Sequence, residues 1–292
     1  MEEQLAAFLE FLQTERSYSE NTTAAYKNDL GQFVSFLTNN YSTIASWNAV
    51  TSAIVANYVT SMKDSDYASS TVARKVAALK SFFHYLNARE LTESDPTQQI
   101  DSPKVEKRLP NTLSNADIEQ LLQAPTKEQT PKHLRDSALL ALLYATGMRV
   151  TEVVSLTVDD INLEDMHLHS PGRDGDEARF LPFDAGTTHT LRQYLEKGRP
   201  HLRKRAEEKA LFLNHRGQQL TRQGLWLIIK AYAKEANLSE NVTPHTLRHS
   251  FAAHKLQSGS NLQTVQQLLG HANISTTQIY AQIDKNDTDE EE

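Results

Sequence analysis

Cysteine is absent from this chain of 292 residues. Disulfides and thiolate metal sites are thereby excluded, and a reducing cytoplasm is the expected compartment. Long apolar runs are missing too, since no stretch approaches the roughly 20 residues needed to span a bilayer. The opening MEEQLAAFLEFLQTERSYSE lacks the basic start and unbroken apolar core of a secretory leader. The chain therefore reads as soluble and intracellular, with no membrane partner. It also lacks an excess of positive charge: 30 Lys and Arg face 37 Asp and Glu, a formal net charge of −7. On its own that balance argues against a polyanionic partner. The distribution changes the reading. The last twelve residues, AQIDKNDTDEEE, carry six acids and one lysine, so −5 of the −7 lies in a segment (281–292) that reads as a disordered acidic tail.

Within the body, basic residues gather locally, with Arg74, Lys75 and Lys80 in one helix-like segment and Arg199, Arg203, Lys204 and Arg205 in another. Such clusters allow nucleic-acid binding, and a solvated helix face is the competing reading. Residues 1–100 read as a bundle of four or five helices. Ser19 caps one of them, and Ser69, Ser70 or Thr71 starts another. Residues 101–112 lie in LTESDPTQQIDSPKVEKRLPNTLS, where three prolines and mixed charge break the periodicity, and form the expected linker. A second domain over 113–280 reads as mostly helical. Its one β-signal is a hairpin, with DDINLEDMHLHS and ARFLPF flanking the turn PGRDGDE. The predicted class is mainly α, with a small antiparallel sheet in the second domain.

The densest chemistry lies in VTPHTLRHSFAAHKLQSGS (242–260). Thr243 followed by Pro244 is a helix start, a hydroxyl cap and then proline at the first helical position. His245 and Arg248 then stand three apart near a helix N-terminus, a placement suited to phosphate. Leu247 and Phe251 point elsewhere, as a buried face. His245 and His249 also have the spacing of two zinc ligands, although Thr246 stands where H-E-x-x-H needs its glutamate. Elsewhere, Arg149 follows a glycine in YATGMRVTEVVSL. In LLGHANISTTQIYAQ, Gly270 ends a helix, His271 follows it, and a helix capped by Ser275 presents Tyr280.

Taken in order, Arg149, His245-x-x-Arg248, His271 and Tyr280 resemble the signature of the tyrosine recombinase family, with TLRHSFA, LLGH and STTQIY as flanking text. The likeness covers nearly the whole chain. YSENTTAAYKNDLGQF and STVARKVAALKSFFHYL resemble the family's helical, SAM-like core-binding domain, and KRLPNTLS its interdomain linker. Within the family the chain looks most like the Xer group, and TRQGLWLIIKAYAKEA leans towards its D-type member.

The resemblance implies strand cleavage by attack of tyrosine on a phosphodiester, giving a 3′-phosphotyrosyl intermediate and a free 5′-hydroxyl, with no cofactor and no metal. Tyr280 would be the nucleophile. Arg149 and Arg248 would hold the non-bridging oxygens, a stabilisation of about 3 kcal/mol per donor. His245 would serve acid/base work around the tyrosine, His271 a further bond to phosphate, and Glu152 would orient Arg149. The family's hairpin lysine is missing, because no lysine occurs between Asn162 and Gly186. Arg173 is its nearest equivalent, and an arginine donates a proton poorly. Candidate DNA contacts are Arg74, Lys75 and Lys80 in the first domain and Arg222 and Gln223 in the second. His249, His254 and Lys255 read as packing or peripheral residues.

Implied partners are a double-stranded DNA recombination site, gripped by two domains as a clamp, and a homo- or hetero-tetramer on two such sites. A second Xer-type recombinase and a DNA translocase belong to the same picture, with action in the cytoplasm at the nucleoid. Only the acidic tail follows Tyr280, with Ile283 as apolar anchor, which puts docking of a C-terminal helix into a neighbour in question. Dimer resolution of chromosomes or plasmids is the leading role. The alternatives are a mobile-element integrase, a topoisomerase-like strand nicker, and a noncatalytic DNA-binding relative marked by the missing lysine.

Overall fold

A computed structural model describes residues 1–103, 110–170 and 178–281. The chain divides into two compact units, Met1–Lys107 and Arg108–Glu292. In the first, α1 (Glu2–Thr14), α2 (Glu20–Asn40), α3 (Ser52–Asp64) and α4 (Ser69–Ala88) form a helical bundle. Ser19 caps α2 by accepting the Thr22 N–H at 3.3 Å, which supplies one of the orphan donors of the first turn. An aromatic centre fills the bundle. Phe8 and Trp47 each meet Phe82 edge-on, with ring centroids 5.2 and 4.8 Å apart. The Trp47 indole N–H donates to the Met1 carbonyl at 3.1 Å.

One basic residue of α4 is not where its composition suggests. Lys75 is only 3% exposed, and its ammonium donates to Asp29 at 2.9 Å and to Gln32 at 2.7 Å. A buried ammonium needs such partners. Lys75 is thereby spent inside the bundle, which corrects its expected role as a phosphate contact. Arg74, half exposed, also pairs with Asp29, and Lys80 is half-buried.

The second unit packs α5 (Asn115–Gln123), α6 (Pro131–Thr146), α8 (Ala185–Gln193) and α10 (Arg222–Glu235) around a leucine-rich core. The short helix α7 (Val150–Ser155) belongs to the same unit. The β-region is a three-stranded antiparallel meander rather than a single hairpin. Its strands are β1 (Ile161–Asn162), β2 (His167–Ser170) and β3 (Arg179–Pro182), with Leu168 opposite Leu181. The extra turn forms because the Asn162 side chain accepts the N–H groups of Glu164 and Asp165, a local competitor to continued strand. α9 (Arg199–Leu202) follows α8. The last helices are α11 (Pro244–Gln257), α12 (Leu262–Leu269) and α13 (Ser275–Gln278).

Candidate active site

Two helix ends prepare the site. α6 ends at Gly147 and α12 at Gly270, both left-handed, with φ of 60° and 63°. At Gly147 the chain turns so that Arg149 occupies the N-cap of α7. Glu152, three residues on, accepts the Arg149 backbone N–H at 2.6 Å, the reciprocal half of a capping arrangement. α11 starts as its sequence predicts: Thr243 accepts the Thr246 N–H at 3.2 Å and Pro244 opens the helix. Leu247 and Phe251 face the core.

Three arginines converge on one helix terminus. The carbonyls of Leu268, Leu269 and Gly270, at the C-terminal end of α12, accept respectively from Arg179 Nε at 3.1 Å, Arg248 Nη2 at 2.7 Å and Arg149 Nη2 at 2.8 Å. Such carbonyls have no partner within the helix and carry the negative end of its dipole, so a terminus of this kind can hold cations together against their mutual repulsion. Arg248 also donates through Nη1 to the Gly147 carbonyl at 2.6 Å. Glu152 ties in the third arginine, accepting from Arg179 Nη2 at 2.7 Å while lying 3.6 Å from Arg149 Nη1.

Burial and like charge show in the titration of these groups. Burial first, then Arg149, pushes the Arg248 guanidinium down to about 10, still charged at neutral pH. With two of its five N–H groups committed to carbonyls, others remain to meet an anion. His271, just past Gly270, is pushed down to about 4 by burial and by Arg248 and Arg149, and is neutral. Its Nδ1 lies 2.9 Å from the Thr277 hydroxyl. When that hydroxyl donates, the imidazole proton sits on Nε2, where it can be offered to an anion.

Tyr280 lies two residues beyond α13 and is 3% exposed, packed with Phe251, Ala252, Val265 and Leu269. Ser275 is the first residue of α13 rather than its cap: Ile274 holds the N-cap position without a side-chain cap bond, and the Asn273 side chain just before it accepts the Ser275 N–H at 2.9 Å. Burial raises the Tyr280 phenol above its ordinary value while Arg248 opposes the shift. The hydroxyl is 2.8 Å from Nδ1 of His249. Burial, His245 and Arg248 push His249 down to about 4, so it too is neutral.

Arg149 thus comes together with Arg248, His271 and Tyr280, which lie 99 to 131 residues further along the chain. His245 is exposed one turn from His249, with ring centroids 6.2 Å apart. Among the described residues, no hydrogen bond joins it to Tyr280. Two residues at the site escaped the sequence reading. Arg179 opens β3 and carries no motif. His249 was read as peripheral, and its place four residues after His245 and next to Arg248 is the only signal that could have marked it. Arg173 and Ile283 lie outside the described residues. Arg222 and Gln223 are exposed in the first turn of α10.

A cavity of about 970 Å³ lies elsewhere, lined by Tyr144, Phe183, Thr187 and His254. Arg149, Arg248, His271 and Tyr280 are not among its lining residues. Among the described residues, no helix is long and apolar enough to cross a membrane.

Comparison with known proteins bears directly on this arrangement. Residues 111–287 match the phage integrase family and residues 5–90 the phage integrase N-terminal SAM-like domain. Tyrosine recombinase XerC of Roseiflexus castenholzii is 47% identical over 285 residues, covering 97% of this chain and 90% of that protein. Tyrosine recombinase XerD of Listeria monocytogenes is 43% identical over 286 residues, covering 98% and 95%. The XerH recombinase bound to its difH substrate superposes with a TM-score of 0.78 at 22% identity, covering 98% of this chain and 93% of that one. With both of its domains matched and its relatives aligned almost end to end, the chain belongs to the phage integrase family, among the Xer-type tyrosine recombinases.

Proposed function

We propose that Tyr280 is the nucleophile with which this recombinase cleaves DNA at a specific site, and that Arg149, Arg248 and His271 bind the scissile phosphate. The observation that carries this reading is the gathering of three arginines on the end of α12, with the buried Tyr280 hydroxyl packed in the adjoining cluster. Attack of the phenol oxygen on phosphorus forms a phosphotyrosyl bond and breaks the bond to the 5′-oxygen. The phenol gives up one proton and the leaving oxygen takes one. The energy of the phosphodiester is kept in the new ester, so rejoining to a second strand needs no cofactor. Arg149 and Arg248 meet the charge that grows on the non-bridging oxygens, and His271 donates from Nε2.

The exposed His245 is the candidate for the proton delivered to the 5′-oxygen, and Arg173 would position the phosphate without acting as acid. Arg222 and Gln223 on α10, and Arg74 and Lys80 in the first unit, are the candidate contacts to the duplex. Four protomers on two sites, in the cytoplasm, exchange strands to resolve chromosome or plasmid dimers, with a second recombinase and a translocase as partners. The relatives that share this chain's length, named XerC and XerD, favour that role over element mobility.

Nicked suicide duplexes carrying candidate sites from DNA around the coding sequence test the reading. Wild type should form a covalent adduct on a denaturing gel and Tyr280→Phe none. An adduct that survives Tyr280→Phe overturns the assignment. Binding without an adduct, restored by Arg173→Lys, moves the chain to the noncatalytic reading.

A further inference from the structure

The recombination signature assigns no task to His249, yet it is the residue that holds the Tyr280 hydroxyl. The ring of Tyr280 is fixed by an apolar cluster from α11 and α12. That cluster limits where the ring sits, but an apolar wall cannot set the direction of an O–H bond. Among the described residues, the one hydrogen-bond partner of the hydroxyl is His249 Nδ1, at 2.8 Å. The two rings are tilted at 46° with centroids 5.4 Å apart, while the His271 ring stacks on Tyr280 with centroids 6.4 Å apart.

We infer that His249 is a positioning residue for the nucleophile: its Nδ1 accepts the Tyr280 O–H and so turns the attacking lone pair of the phenol oxygen away from α11 and towards the phosphate. This rests on Tyr280 being the nucleophile. The chemistry of the acceptor supports it. His249 is neutral, held at about 4, and a neutral imidazole offers one acceptor nitrogen and one N–H. With the phenol donating to Nδ1, the imidazole proton lies on Nε2, and the lone pairs of the phenol oxygen stay open for attack.

Proton transfer to His249 in the resting site is steeply uphill, because its own affinity for a proton is lowered while that of the phenol is raised. The residue therefore acts through orientation and not as the general base. Its position on α11, one residue after Arg248, couples the two halves of the site. The helix that fixes a phosphate-binding guanidinium fixes the direction of the nucleophile as well, which is the kind of preorganisation that near-attack geometry demands.

Single-turnover adduct formation on the same nicked duplex, at saturating protein, separates this inference from the reading beneath it. An adduct that survives Tyr280→Phe would unseat the nucleophile itself. With that assignment intact, His249→Leu should slow the adduct about tenfold, or about 1.4 kcal/mol on the barrier, with DNA affinity within twofold of wild type. His249→Asn, whose Oδ1 can accept where Nδ1 did, should recover most of the rate. A leucine variant as fast as wild type overturns the inference, and so does an asparagine variant no faster than the leucine one. Should the leucine variant fold poorly, ¹⁵N-histidine spectra of the intact protein decide. The Nδ1 resonance of His249 should move in Tyr280→Phe, and an unmoved resonance overturns the proposed bond.

Discussion

Thr277 is fully buried and its hydroxyl meets Nδ1 of His271. Its task is to choose which nitrogen of that imidazole carries the proton. Thr277→Val keeps the shape and removes the donor, so His271 should lose its preference for the Nε2–H tautomer and cleavage should fall about tenfold, the scale of one lost hydrogen bond. A cleavage rate unchanged from wild type would contradict that role. Lys75 behaves differently. Its ammonium is buried against Asp29, and removing one partner leaves a carboxylate with less compensation. Lys75→Ala should therefore cost about 3 kcal/mol of stability while leaving the salt dependence of DNA binding unchanged. Denaturant unfolding and a binding series in salt read the two effects separately.

At the scale of elements, α12 organises the site through its end. Its last carbonyls bind three arginines, and this works only because Gly270 turns the chain at φ +63°. A Cβ there would lie 2.5 Å from Arg179 Nη1, so Gly270→Ala meets both backbone strain and a clash. The strain alone is worth about 1–2 kcal/mol, and the displaced Arg179 would release Glu152. The expected result is a lower thermal midpoint together with a loss of cleavage larger than the stability change explains. Cleavage as fast as wild type at a temperature where the variant is fully folded would argue against the coupling. In the sequence, Gly270 is legible as a helix stop and His271 as its neighbour. That the carbonyls before it receive Arg149, Arg179 and Arg248 is not legible, because helix periodicity says which face is buried and nothing about which side chains arrive at its end.

For the molecule as a whole, two consequences follow. His249 and His271 titrate near 4 in the fold against an ordinary value of 6.5. Between those limits the unfolded chain binds more protons than the folded one, so stability should fall as pH drops from about 6.5 towards 4 and should gain nothing from these groups above 6.5. Thermal unfolding at pH 7, 6 and 5 checks this, and His249→Asn should flatten the slope. A flat wild-type profile would mean that both histidines titrate normally. DNA binding should weaken linearly in log affinity against log salt, with a slope that counts phosphate contacts. Arg222→Ala should reduce that slope by about one unit if this residue touches a phosphate.

Sequence by itself determined the helical class, the caps at Ser19 and Thr243, the stop at Gly270, and four of the residues that meet at the site. These are local matters, set by backbone sterics and by side chains reaching a few residues along the chain. Only the tertiary structure decided that Lys75 turns inward, that Arg179 joins the arginine cluster, and that His249 rather than His245 holds Tyr280. Lys75 and His249 sit on helices whose sequence pattern permits either an inward or an outward role. Arg179 and Glu152 are 27 residues apart. Which charge finds a buried partner, and which of two histidines one turn apart reaches a phenol, depends on how distant elements pack. Desolvation then makes each of those choices costly to reverse.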